Sequence, residues 1–86
     1  MKSIWEATFE HNVIRIENNW FSGEKLVVNG QLQDLKQNLF ASNLEGHLFT
    51  MTKEKLKIKV RLFLDFFRIN CILFVDNEQV VLKQIK

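Results

Sequence analysis

The 86-residue chain contains no proline, no tyrosine, three glycines, two histidines and one cysteine. Without proline, every residue after the first keeps a backbone amide donor, so no segment is barred from the interior of a hydrogen-bonded ladder. A lone cysteine, Cys71, excludes an intramolecular disulfide and makes a reducing cytoplasm the expected setting. It lies in an apolar run, where a packed, inert thiol is the expected state. His11, His47 and Cys71 are not paired at ligand spacing, so no metal and no cofactor is expected. The chain has no Gly-rich phosphate loop, no nucleophile elbow and no clustered acid pair, which argues against an enzyme. No apolar stretch approaches the roughly 18 residues of a membrane-spanning helix. The opening residues Met1-Lys2-Ser3-Ile4-Trp5-Glu6 lack the apolar core and cleavage site of a secretion signal.

What remains is a chain with 47% hydrophobic residues and a net charge of +2. Residues 1–86 are expected to form a single domain with a modest core. The strongest pattern is Lys53-Glu54-Lys55-Leu56-Lys57-Ile58-Lys59-Val60-Arg61-Leu62-Phe63-Leu64. Apolar residues occupy every second position from Leu56 to Leu64, and cations alternate with them at 53, 55, 57, 59 and 61. A helix would scatter these lysines around its circumference; a period of two specifies a strand with one buried and one basic face.

Turn signals recur about every 8–12 residues, as in a sandwich or barrel. Trp5, Ala7 and Phe9 read as the inward positions of a first strand, with a turn at His11-Asn12 leading into Val13-Ile14-Arg15-Ile16-Glu17. Asn29-Gly30 between apolar runs predicts a type I′ hairpin, whose two central residues need positive φ. Asp76-Asn77 predicts another, leading into a return strand over 78–83. The two hairpins echo one another, Leu26-Val27-Val28-Asn29-Gly30 against Leu73-Phe74-Val75-Asp76-Asn77, and suggest comparable positions in a pseudo-symmetric sandwich. Residues 34–43 are ambiguous, with helix-like spacing at Leu35, Leu39 and Phe40. The fold class expected is an all-β antiparallel sandwich or flattened barrel of seven to eight strands.

The cadence from Trp5 to Leu32, with Ile14-x-Ile16-Glu17, Ser22-Gly23-Glu24-Lys25-Leu26-Val27-Val28-Asn29-Gly30, and later Ile72-Leu73-Phe74-Val75-Asp76-Asn77, resembles the Fas apoptotic inhibitory molecule domain. It also resembles small bacterial β-proteins with a similar run. The resemblance implies a compact β-sandwich and supplies no catalytic residue.

Three surfaces are candidates. Phe63, Phe66, Phe67, Ile72 and Phe74 form an apolar surface for a protein partner or a homodimer, or else a second small core beneath 34–43. Lys53, Lys55, Lys57, Lys59 and Arg61 form a row fit for a polyanion, either nucleic acid or an anionic membrane surface. Their spacing of about 6.5–7 Å per alternate residue is the scale of successive phosphates. On that reading Phe63 is the only aromatic on the lysine side. The bland alternative is a solvated face whose lysines deter edge-to-edge pairing. Trp20 and Phe21, in a polar loop, either fold back or serve as an anchor. A small-molecule site in the sandwich mouth near Trp5 and Trp20 is a further possibility. Glu6, Glu10 and Glu17 are read as outward carboxylates available to Arg15 or to the basic strand.

Overall fold

The computed structural model describes residues 2–37, 42–66 and 68–86, and those residues form nine strands and no helix. They are β1 (Lys2–Phe9), β2 (Asn12–Asn19), β3 (Gly23–Val28), β4 (Gln31–Lys36), β5 (Ser42–Phe49), β6 (Lys55–Asp65), β7 (Arg68–Val75), β8 (Glu78–Val80) and β9 (Lys83–Gln84). A five-stranded sheet runs β4-β3-β2-β1-β9 and a four-stranded sheet runs β5-β6-β7-β8, with every pairing antiparallel. The all-β sandwich expected from sequence is the observed architecture. The ninth strand arises because the predicted return strand over 78–83 divides. Glu78–Val80 pairs with β7, the chain leaves the sheet at Val81-Leu82, and Lys83–Gln84 joins β1 in the other sheet.

Period-two patterning decides which side chains are inside. On β6, Leu56, Ile58, Val60 and Leu62 are buried while Lys55, Lys57, Lys59 and Arg61 are exposed. Ile14 and Ile16 of β2, Leu26 of β3 and Leu73 of β7 complete the centre of the core. Each such side chain stabilises the fold by about 1.5–3 kcal/mol. Trp5 is buried, and Ala7 and Phe9 pack against the core, as the alternation of β1 predicts.

The Asn29-Gly30 turn has φ of 52° and 80°, and Asp76-Asn77 has 52° and 64°, the two positive values of a type I′ turn. The echoed hairpins do occupy comparable places, β3–β4 at the edge of one sheet and β7–β8 at the edge of the other. The first hairpin turns at Glu10-His11 (φ 45° and 67°), not at His11-Asn12. Asn12 is instead the buried first residue of β2, and its amide donates to the carbonyls of Phe9, Glu10 and Phe49. The turn moves one residue back because Asn12 is needed inside.

The two sheets meet at β4 and β5 through side chains. Asp34 Oδ2 accepts from the Glu45 amide at 2.9 Å and Gln33 Oε1 from the His47 amide at 3.3 Å, so β4 caps donors of the β5 edge. Gly46 lies between them, where a Cβ would come within 2.9 Å of Leu26 Cδ2 and 3.0 Å of Gln33 Oε1. In the ambiguous 34–43 segment, β4 runs through Lys36 with Leu35 exposed. Leu39 and Phe40 fall outside the described residues, as does the proposed second core beneath them.

Candidate binding face of the four-stranded sheet

The outer face of the four-stranded sheet follows from register. Residues directly opposite in an antiparallel pair share a face. Across β6, Lys55, Lys57, Lys59 and Arg61 stand opposite Phe49, His47, Glu45 and Asn43 of β5. On the other side, Lys59, Arg61 and Phe63 stand opposite Phe74, Ile72 and Asn70 of β7. Two surfaces that sequence reasoning held apart are therefore one. Phe63, Ile72 and Phe74 lie among the cations, half-buried, rather than on an apolar patch of their own.

Two details of the expected row change. Lys53 is not on the strand; it sits in the β5–β6 connection with φ of 65°, and the sheet carries the other four cations. Phe63 is the only aromatic of β6 on the lysine side, but neighbouring strands add Phe49, which is 53% exposed, and Phe74. The His47 ring meets Phe49 edge-on, with centroids 5.7 Å apart and planes at 84°. The signal for both is the same alternation: inward Leu44 and Leu48 place His47 and Phe49 outward.

β6 is an interior strand, so guarding an edge does not explain its lysines. Among the described residues, the one ion pair in the row joins Lys57 to Glu45 at 3.0 Å. Its hydrogen bond and charge, helped by Lys59, hold the Glu45 carboxyl below the usual carboxylate range. The outer face of the five-stranded sheet differs. There Arg15 pairs with Glu17 at 3.0 Å and Glu6 at 3.7 Å, and Lys2 pairs with Glu17 at 3.2 Å. Glu6 and Glu17 thus meet Arg15 as expected. Glu10 lies in a turn rather than on a strand, and its carboxylate accepts from the Met51 amide at 3.4 Å.

Phe66 lies in the turn between β6 and β7 and is 90% exposed; Phe67 falls outside the described residues. Trp20 and Phe21 do not fold back. They occupy the β2–β3 turn at 55% and 93% exposure. Trp5 is buried in the core, so the two tryptophans do not frame a common mouth. A groove of about 280 Å³ beside β7 is lined by Trp5, Cys71 and Leu82 among others, without Trp20.

His11 is in the first turn, His47 on β5 and Cys71 on β7. Among the described residues no three His, Cys, Asp or Glu side chains gather as a metal site. Burial, reinforced by the Glu24 carboxylate, pushes the Cys71 thiol up to about 12. Glu24 itself is fully buried on β3, accepting hydrogen bonds from Asn18 Nδ2 at 3.1 Å and from the Ser42 hydroxyl. Nothing in the local sequence pattern sets it apart from a solvated glutamate. No protein-family model, curated protein or solved structure matches the chain, so the geometry of these residues carries the functional argument.

Proposed function

We propose that this protein is a non-catalytic binding module that holds an extended polyanion, single-stranded nucleic acid being the class of choice, on the outer face of its four-stranded sheet. The observation that supports this reading is the register itself. A row of four exposed cations is bordered by Phe49 and His47 on one side and Phe74 on the other. Cations spaced along one strand suit a phosphodiester backbone, and flanking rings suit bases, each stacked base contributing about 1–3 kcal/mol. A cytoplasmic setting, in keeping with the free thiol of Cys71, belongs to the same proposal.

The test is binding of labelled single-stranded DNA and RNA homopolymers by fluorescence anisotropy over a salt series. Affinity is expected to fall with a slope of about 0.7 per phosphate neutralised. Lys57→Glu combined with Lys59→Glu should abolish it. Binding unchanged in that variant, or none at low salt, refutes the reading.

A second reading is docking of a protein partner or a second copy through the same face. It is favoured by the half-buried Phe63, Ile72 and Phe74, which no third layer covers among the described residues. Sedimentation equilibrium separates the two. A dimer lost on Phe74→Glu, with the monomer still folded, selects the second reading.

A further inference from the structure

The β2–β3 and β6–β7 turns project from the same end of the sandwich. Glu24 bonds to Ser42, and Ser42 pairs with Leu62, which brings the start of β3, the start of β5 and this part of β6 to one level. Phe21 lies three residues beyond that level on one side and Phe66 four residues beyond it on the other. Both tips are aromatic and nearly fully exposed, and Trp20 stands beside Phe21.

The backbone at each tip is specified. Asn19 Oδ1 accepts from the Phe21 amide at 2.9 Å, fixing the β2–β3 turn. Asp65 pairs with Arg68, so the β6–β7 connection spans two residues, and Phe66 sits in it at φ 47°. That conformation favours Gly, Asn or Asp and costs other residues about 1–2 kcal/mol. Asn29-Gly30 and Asp76-Asn77 obey the preference; Glu10, His11, Lys53 and Phe66 do not, and Phe66 is the one apolar residue of these four, 90% exposed. A large apolar ring held in a strained, exposed turn gains no contact inside the fold, which leaves it free to meet an apolar surface outside it. Around the tips, among the described residues, Lys36 and Arg68 are exposed beside the exposed carboxylate Asp65. Lys36 stands opposite Glu24, and Arg68 opposite Asp65.

We infer that this end docks on an anionic lipid bilayer. Phe21 and Phe66 enter the interface between headgroups and acyl chains, Trp20 lies at headgroup depth, and Lys36 and Arg68 meet lipid phosphates. Tryptophan and phenylalanine with adjacent cations are the composition an anionic interface selects. The site is distinct from the sheet face, and the two fail independently.

The experiment is cosedimentation of the intact protein with phosphatidylcholine vesicles, with and without phosphatidylserine, while recording tryptophan emission. Trp5 is already buried, so a blue shift on binding reports Trp20. Binding and a blue shift are expected only with phosphatidylserine present, and at least a tenfold loss of binding in Phe66→Asn and in Phe21→Ser. Phe66→Asn suits its backbone and should fold at least as well as the parent, so its loss of binding is not an unfolding artefact. Three results overturn the inference: no cosedimentation with phosphatidylserine vesicles; equal binding to both vesicle types; or binding kept by Phe66→Asn but lost in Lys57→Glu with Lys59→Glu, which assigns vesicle contact to the sheet face. A concentration-dependent dimer abolished by Phe66→Asn overturns it too, making a second copy the occupant.

Discussion

The side-chain amide of Asn12, on β2, donates to the main-chain carbonyl of Phe49, on β5, at 2.9 Å and so ties one sheet to the other. The same amide reaches the Phe9 and Glu10 carbonyls at 3.2 Å, and Asn12 Oδ1 accepts from Asn29 Nδ2 at 2.9 Å. One buried side chain thus joins two turns and the β5 terminus. Truncating it leaves several part-buried polar groups without partners, at about 1–3 kcal/mol for each one left dry. Asn12→Ala should lower the urea unfolding free energy by about 2–3 kcal/mol. Val13→Ala, on the neighbouring exposed position, should change it by less than about 0.5 kcal/mol.

Glu24 gives a second test, because its chemistry can be separated from its shape. Glu24→Gln retains an oxygen for Asn18 Nδ2, and the Ser42 hydroxyl can turn to accept from the new amide. Stability should stay within about 1 kcal/mol of the parent. Glu24→Leu keeps the volume but leaves Asn18 and Ser42 unsatisfied in the interior, and should cost about 2 kcal/mol or more. Urea titrations of the two variants decide it; equal losses would show that Glu24 matters only as filler.

Asn12 and Glu24 also mark where sequence reading stops. The alternation on β6, the paired turn residues at 29–30 and 76–77, and the apolar runs of β2 and β7 specify strands directly, because period and turn chemistry are local. Whether a polar side chain points outward or caps something inside depends on the opposite sheet. Asn12 therefore reads as a turn residue, and Glu24 as ordinary surface. The binding face was half legible for the same reason. The cations lie in one run, but the aromatic residues beside them come from β5 and β7, and only register brings Phe49 and Phe74 alongside. The division of segment 78–83 between two sheets is likewise invisible locally, since Val81-Leu82 continues the apolar pattern while the backbone turns away.

Cys71 predicts a pH dependence. Its folded-state value of about 12 lies above the ordinary thiol value, so the folded protein holds the proton more tightly than the unfolded chain. This contribution is fully present below the unfolded thiol pKa of about 8.5 and is lost as pH rises from there towards about 12. The slope is at most about 1.4 kcal/mol per pH unit. Cys71→Ala should show a shallower alkaline decline in unfolding free energy than the parent between about pH 9 and 11. Parallel curves would show that the thiol is no better shielded in the folded state than in the unfolded one.

The sheet face makes a sharper prediction when its two kinds of residue are removed separately. Lys59 and Phe74 stand opposite one another across β6 and β7, close enough to contact one nucleotide. Lys59→Ala should reduce the slope of log affinity against log salt by about 0.7, the loss of one phosphate contact on a single strand. Phe74→Ala should leave the slope unchanged and weaken binding by about 1–3 kcal/mol at every salt concentration, with stacked bases affected most. Phe74 is half-buried, so circular dichroism and thermal unfolding must first show the variant folded. Two variants that shift the salt slope equally would reduce the face to a charged surface with no ring contacts. If Phe74→Ala leaves nucleotide affinity unchanged but abolishes self-association, the ring belongs to a protein interface, and the cations around it set only the approach of the partner.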